Sequence, residues 1–169
     1  MLGNGMTLFF KPIDVDHDGH SCIEFRRDSY FCSFGHYQGV EESLQGYTDR
    51  ILTRQQDERW HFWHVWSGDS DETSLKLVGQ LDFRTFSDYP ETGYVHLMYV
   101  TADQRGSQVA AKMQAFLKSQ LKNSGCRYAI LSVAQHNQRA IAHYQKQGWQ
   151  CWKANPKHVE PFDFYRCEL

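Results

Sequence analysis

Residues 99–113, YVTADQRGSQVAAKM, combine side-chain types and spacing that could bind a phosphate group. An apolar, strand-like stretch ends at Val100, and a turn with Arg105 and Gly106 leads into a helix-like stretch. The first amides of a helix have no acceptor within it and lie at the positive end of its dipole, so such a turn can hold a pyrophosphate. Gly106 permits close approach of the backbone, and Arg105 adds a cation. Many strand–helix turns contain glycine for conformational reasons alone, and the chain has no GxGxxG dinucleotide fingerprint.

A second segment, residues 137–149 with the sequence NQRAIAHYQKQGW, follows an apolar stretch and ends in glycine and an aromatic residue. Together the two segments resemble the GNAT superfamily of acyl-CoA-dependent N-acyltransferases. The resemblance covers about residues 93–152 and is specific for the superfamily, but it does not identify the acceptor. It rests on Val100, Arg105, Gly106 and Ala110 in the first segment and on Asn137, Ala140, Tyr144, Gly148 and Trp149 in the second.

The resemblance implies acetyl-CoA as the acyl donor and no metal. The residues implied to contact it are Met98, Tyr99 and Val100 for the pantetheine arm, Arg105, Gly106, Ser107, Gln108, Val109 and Ala110 for the pyrophosphate, and Asn137 for the pantetheine arm or a water. Gln108 departs from the family pattern, which has glycine there. Backbone amides hold the phosphate and a glutamine retains its amide, so we expect a working site with the side chain turned outward. The alternative is that Gln108 crowds the pyrophosphate.

Tyr144 stands where the family keeps the tyrosine that protonates the departing sulfur, so the resemblance implies a general acid there. The alternative is an aromatic side chain packed in the core. Its neighbour His143 is expected on the surface, because adjacent helical residues point about 100° apart.

His96 is the candidate base, acting through water, because an imidazole with a pKa of about 6.5 suits proton removal at neutral pH. Strand alternation predicts it on the same face as Met98 and Val100. A hydrogen-bonded core histidine is an equal alternative, and Tyr94 and Glu91 are further candidates. Ser132 occupies the position at which some relatives have a glutamate base, and a serine cannot replace it alone.

The resemblance thus predicts an N-acetyltransferase that acts on a primary amine of a small molecule or a protein. A non-catalytic CoA-binding or regulatory module of the same fold is the alternative, with Gln108 and Ser132 as traces of lost function. The acceptor pocket is expected between the early helices and an aromatic strand. Acidic side chains there could attract a cationic acceptor; the candidates are Glu24, Asp28, Glu41 and Glu42.

Hydrophobic periodicity and turn residues predict the elements that position these side chains. Strands are expected at residues 7–11, 59–67, 75–85, 93–100, 128–134, 149–153 and 162–168, and helices at about 21–33, 41–56, 107–123 and 137–147. No linker or repeat divides them, so one domain over residues 1–169 is expected. With the resemblance, this order implies an α/β (α+β) GNAT-like fold. Its sheet would be mixed, mostly antiparallel, twisted and splayed into a V, with about four helices around it.

Two further segments have alternative interpretations. The first is RWHFWHVW, residues 59–66. Strand alternation places Trp60, Phe62, His64 and Trp66 on one face, and the other face also carries apolar residues. This pattern favours a strand covered on both faces over an aromatic-lined cleft. Residues 14–19, DVDHDG, begin like an EF-hand calcium loop, but Phe25 occupies the twelfth position, where a glutamate is needed. An acidic stretch that caps the next helix is the preferred interpretation.

Composition excludes several other classes of protein. The chain has 18 Lys and Arg against 20 Asp and Glu, which disfavours a nucleic-acid binder. No apolar run approaches the roughly 18 residues of a membrane helix, and no signal peptide is visible. The five cysteines are scattered and never form CxxC, which favours a reducing cytoplasm over a disulfide framework or a zinc site. Dimers are frequent in the resembled superfamily, so a homodimer is a further expectation.

Overall fold

The computed structural model describes residues 6–169 of the chain. Its strands are β1 (Met6–Pro12), β2 (Trp60–Asp69), β3 (Lys76–Arg84), β4 (Thr92–Val100), β5 (Tyr128–Ala134), β6 (Gln150–Asn155) and β7 (Phe162–Glu168). Its helices are α1 (Val15–Phe34), α2 (Val40–Leu44), α3 (Tyr47–Arg54), α4 (Val109–Asn123) and α5 (Gln138–Lys146), and a 3₁₀ turn (Ala102–Gln104) precedes α4.

The strands form one seven-stranded sheet in the order β1-β2-β3-β4-β5-β7-β6. Only β4 and β5 are parallel neighbours; the other pairs are antiparallel. β4 pairs with β5 only from Thr92 to Tyr94, opposite residues 128–130, and the two strands separate beyond that point. The predicted mixed sheet with a V-shaped opening between these strands is therefore confirmed.

A β-bulge interrupts β4 beside this opening. Asp82 of β3 pairs with Leu97, and the next residue, Phe83, pairs with Val95, so His96 is an extra residue in the ladder. Because side chains alternate across a strand, one extra residue reverses the faces of everything that follows it. The bulge thus changes which β4 side chains face α1 and which face α4.

Helices cover both faces of the sheet. On one face, α4 contributes Val109, Met113, Leu117 and Leu121, all fully buried, to the main core. On the other face, α1 and α3 form a smaller core with β2 in which Cys22, Tyr47, Ile51 and Phe62 are buried. The sheet therefore lies between a layer formed by α4 and a layer formed by α1 and α3.

The aromatic strand β2 packs against both layers, as its pattern predicts. Trp60 and Phe62 lie against the smaller core, and Trp63 meets Phe116 of α4 edge-on at 5.2 Å between ring centroids. None of the residues 60–66 lines the large cleft described below. This strand is core, and the alternative of an aromatic-lined cleft is wrong for it.

Two helix predictions are corrected. α1 begins at Val15 rather than near residue 21, because the Asp14 side chain caps it by accepting the His17 amide at 3.2 Å. The acidic stretch is thus the cap and first turn of a helix, and no cluster of three or more potential metal ligands occurs in residues 6–169.

The single helix expected at residues 41–56 is two helices, α2 and α3, divided at Gly46. Gly46 has a φ of 71°, in the left-handed region, and starts α3 in a new direction. Residues 6–169 therefore hold five α-helices instead of about four. The remaining elements end within two residues of their predicted bounds.

Candidate functional site

A cleft of about 1290 Å³ opens where β4 and β5 separate. Its walls come from α1, β4, the turn before α4, β5 and α5. The cleft thus brings together the two sequence segments that predicted chemistry, although about thirty residues separate them along the chain.

Most of the predicted site residues line this cleft. They are Tyr144, His96, Met98, Tyr99, Val100, Arg105, Gly106, Ser107, Ala110 and Asn137. Two others do not line it. The Gln108 side chain is exposed outside the cleft, as the outward-turned interpretation expects, whereas Val109 is fully buried in the main core. The Val109 side chain packs inward and its amide donates to Ser107 Oγ at 3.3 Å, and its contact with a cofactor stays a prediction.

The first turn of α4 presents free backbone donors. The N–H groups of Gly106, Gln108, Ala110 and Ala111 have no backbone acceptor among residues 6–169, and the side chain of the N-cap residue Gln108 does not cap the helix. Gly106 has a φ of 82° and no atom within 4 Å of where a Cβ would stand. Unpaired amides at a helix N-terminus and an open approach are what binding of an anion needs.

Arg105 connects this turn to α1. Its Nη2 donates to Asp28 Oδ2 at 2.7 Å, and its Nε donates to the Val100 carbonyl at 3.0 Å. The Tyr99 hydroxyl donates to the same Asp28 oxygen at 2.6 Å. Partial burial would raise the pKa of Asp28, but the hydrogen bonds from Tyr99 and Arg105 outweigh it and lower the pKa. Arg105 is thus a fixed cation at the edge of the cleft.

Tyr144 lies on α5 against the main core and reaches the cleft. Its ring meets that of Trp149 at 5.8 Å between centroids. Burial raises the pKa of Tyr144 to about 12. The phenol is therefore protonated at neutral pH, the form that can donate a proton.

His96 lies at the bulge of β4, and its position differs from the prediction. Its ring stacks on Trp60 at 5.2 Å, on the α1 side of the sheet, whereas Met98 and Val100 pack against the main core on the α4 side. The predicted common face is wrong because the bulge reverses the alternation after His96. Tyr94, the neighbouring candidate, contacts His96 at 4.7 Å between ring centroids and also lines the cleft.

The electrostatic surroundings of His96 disfavour its protonation. Burial lowers the pKa of His96 to about 3, together with the nearby charges of Arg84, Arg26 and Arg54. Its Nε2 is buried and has no hydrogen-bond partner among residues 6–169. The imidazole is thus neutral at pH 7, but it is a weak base before any ligand binds.

His143 was expected on the surface, but it lines the cleft. The Trp149 indole N–H can only donate, and it donates to Gln114 Oε1 at 2.9 Å. This bond fixes the orientation of the Gln114 amide, so its NH₂ group faces His143 Nε2 at 3.2 Å. His143 Nε2 must accept this bond, and its proton is then on Nδ1. Burial lowers the pKa of His143, and the charges of Lys118 and Lys146 add to this effect. The one sequence signal was Gln114, a polar residue within the apolar face of α4.

Asn137 caps α5, and its Oδ1 accepts the Ala140 amide at 3.3 Å. Ser132 also lines the cleft, and its Oγ accepts a bond of 2.9 Å from Asn155 Nδ2. Glu91, a further base candidate, is exposed outside the cleft, with its carboxylate 4.0 Å from Arg127.

The acidic residues expected at the acceptor pocket are mostly engaged elsewhere. Glu24 and Glu41 both accept hydrogen bonds from Arg27 at the surface, and Asp28 holds Arg105. Only Glu42 of these four lines the cleft.

The sequence of the chain matches the model of one known protein family. Residues 20–149 match the model of the acetyltransferase (GNAT) family, which is more than half of the chain. The chain belongs to the GNAT family. The match includes α1 to α5 apart from the first five residues of α1, and it contains the whole turn before α4. No curated protein sequence matches the chain.

Solved structures of other GNAT proteins share the fold. The PaiA N-acetyltransferase from Thermoplasma acidophilum, solved with coenzyme A, has a TM-score of 0.73 at 14% identity, over 96% of this chain and 99% of that one. An acetyltransferase from Thermus thermophilus has a TM-score of 0.71 at 20% identity, over 96% and 97%. A ribosomal-protein-alanine N-acetyltransferase from Brucella melitensis has a TM-score of 0.68 at 14% identity, over 95% and 99%. At these identities the likeness establishes the GNAT fold.

Within residues 6–169, none of the helices combines the length and the apolar composition needed to cross a membrane.

Proposed function

We propose that this GNAT protein transfers an acetyl group from acetyl-CoA to a primary amine by direct attack of the amine on the thioester. The observation that carries the proposal is the set of unpaired amides at the start of α4, which opens into the same cleft as Tyr144. A donor site and a proton donor in one cleft are two of the parts that acetyl transfer requires.

The residues present fit acetyl-CoA. The free amides of Gly106 and Ala110, with Arg105 beside them, would hold the pyrophosphate. Among residues 6–169, the edge of β4 at Met98 and Val100 has no strand partner on the β5 side, so its backbone can pair with the amides of the pantetheine arm as an added strand would. When bound, acetyl-CoA supplies the thioester whose acetyl group is transferred.

Tyr144 is the proposed general acid. Its phenol is protonated at neutral pH, and burial, which raises its pKa to about 12, extends this protonated form to higher pH. It would donate this proton to the sulfur as the carbon–sulfur bond breaks. A positioned general acid typically contributes about 10²–10⁴-fold to a rate.

His96 is the proposed base, acting through a water. Its imidazole is unprotonated at neutral pH and can accept a proton, but a pKa of about 3 makes it a weak base. It can remove the amine's proton efficiently only if the bound acceptor raises that pKa. Otherwise the amine must reach the cleft already neutral.

A test of the proposal measures thiol release from acetyl-CoA with a panel of primary amines, for the wild type and for Tyr144→Phe. We expect turnover with at least one amine and a fall in kcat of about 10²-fold or more in the variant, with acetyl-CoA affinity unchanged. Tyr128→Phe is the matched control, because Tyr128 lies outside the cleft. Binding of acetyl-CoA without turnover on any amine would favour the non-catalytic module.

A further inference from the structure

A cluster of three arginines surrounds His96, and one of the three lines the cleft. Arg26 of α1 lines the cleft, and its Nη1 donates to the His96 carbonyl at 3.3 Å. Arg54 of α3 and Arg84 of β3 lie over the ring of Trp60, with their guanidinium carbons 4.2 and 5.5 Å from its centroid. Three positive charges from three separate elements thus converge beside His96.

These charges have no close counter-charge. Among residues 6–169, none of the three arginines lies within 4.0 Å of a carboxylate oxygen. Asp82, which interacts electrostatically with Arg26 and Arg54, is buried and already bonded to the Tyr47 hydroxyl and to Gln80 Nε2. Burial also raises the pKa of Asp82, which favours its neutral form. This end of the cleft therefore has an excess of positive charge.

Two buried polar atoms in the cluster are unpaired. Arg84 Nε and His96 Nε2 have no partner among residues 6–169. Leaving a buried polar group unsatisfied is costly, and such atoms are rare outside functional sites. A ligand with acceptor oxygens beside Arg26 would offset the positive charge around both.

The rest of the acceptor region does not favour a polycation. Tyr94, whose ring centroid lies 4.7 Å from that of His96, gives the cleft apolar surface there, and Glu42 is the one acidic side chain among its described lining residues. A second ammonium group at the His96 end would meet Arg26 and the field of Arg54 and Arg84. Like charges in a partly buried site repel strongly.

We propose that the acceptor is a primary amine that also carries a carboxylate, and that Arg26 binds this carboxylate. The inference rests on the proposed function, whose acceptor it specifies. A guanidinium presents paired N–H donors that match the two oxygens of a carboxylate. Among residues 6–169, Nη1 is the one Arg26 nitrogen that makes a hydrogen bond, and the guanidinium lies over the Tyr47 ring at 5.5 Å from its centroid. Arg54 and Arg84, which lie over the Trp60 ring, add positive charge near this site. This replaces the cationic acceptor that the acidic residues had indicated.

The kinetic test compares amino acids with their amides, which keep the amine and lose the negative charge. Because the amide also lowers the pKa of the amine, kcat/KM is expressed per concentration of neutral amine. We expect kcat/KM to be about 10- to 100-fold higher for the acids. Arg26→Gln should remove most of this preference, and Arg26→Lys should restore part of it. Arg27→Gln is the matched control, since Arg27 is the next residue on α1 but binds Glu24 and Glu41 outside the cleft. Equal rates for acids and amides, or an equal loss for both in Arg26→Gln, would overturn the proposal.

A binding test separates this inference from the proposed function. Calorimetry of the protein with coenzyme A would compare N-acetylglycine with uncharged N-acetylglycinamide, in the wild type and in Arg26→Gln. Selective binding of N-acetylglycine that Arg26→Gln weakens would support the carboxylate site even if no amine is turned over. Coenzyme A binding and turnover of uncharged or cationic amines, without binding of N-acetylglycine, would leave the proposed function standing and overturn the carboxylate site.

Discussion

The pKa values of two cleft side chains, Tyr144 and His96, are shifted in opposite directions. Burial raises the pKa of Tyr144 to about 12 and, with three arginine charges, lowers that of His96 to about 3. Both groups are therefore uncharged at neutral pH, the phenol as a donor and the imidazole as an acceptor. This combination suits a reaction that removes one proton from an amine and delivers one to a thiolate.

The pH profile of the reaction tests the state of His96. A free imidazole would lose its proton near pH 6.5, but His96 is already unprotonated at every pH well above 3. We therefore expect kcat/KM to rise with pH only as the acceptor amine loses its own proton, and this limb should move when an amine of different pKa is used. His96→Gln should lower the rate without changing the shape of the profile.

The profile is measured as thiol release between pH 5 and 9. An additional rise centred near pH 6.5 in the wild type that disappears in His96→Gln would show that His96 titrates normally, contrary to this account.

The sequence could identify His96 as a candidate, but not its state. Its pKa depends first on burial and then on Arg84, Arg26 and Arg54, which come from three other elements. Its face of the sheet depends on a bulge that the alternating pattern of β4 does not reveal. Tyr144 was simpler to predict, because its position follows from a motif within one helix.

At the scale of elements, the site depends on the start of α4. Gly106 has a φ of 82°, which any other residue adopts at a cost of about 1 kcal/mol. Gly125, beyond the end of α4, has a φ of 91° and the same open surroundings, but it lies outside the cleft. The two glycines therefore differ mainly in their position relative to the free amides.

We predict that Gly106→Ala and Gly125→Ala each lower the free energy of unfolding by about 1 kcal/mol, because both force alanine into the left-handed region. Only Gly106→Ala should also weaken acetyl-CoA binding, by about tenfold, since its methyl group would project where the phosphate approaches. Denaturant unfolding and calorimetry measure the two effects. Equal acetyl-CoA affinity in the two variants would refute a role for this turn in phosphate binding.

Element boundaries were predictable where local signals are strong. β5 and β7 match the expected ranges, because apolar runs and turn residues bound them clearly. α1 was predicted too short because DVDHDG has the composition of a loop, whereas Asp14 in fact caps a helix. α2 and α3 were predicted as one helix because the sequence does not show that Gly46 adopts a positive φ.

At the scale of the whole molecule, two motifs and the order of elements were enough to predict the GNAT fold. The donor half of the cleft could be predicted because residues 99–113 and 137–149 contain most of its residues. The surroundings of His96 could not, because they combine residues from α1, α3, β3 and β4 that no local pattern connects. The single domain, the homodimer and the cytoplasmic location remain predictions.

The most direct test of this account is a calorimetric titration of the protein with acetyl-CoA. The wild type should bind it, and Arg105→Glu should bind at least about tenfold more weakly, because the substitution puts a negative charge beside the pyrophosphate. Arg127→Glu, which makes the same change of charge outside the cleft, should bind like the wild type. No binding by the wild type, or equal affinity in the two variants, would contradict a donor site at the start of α4.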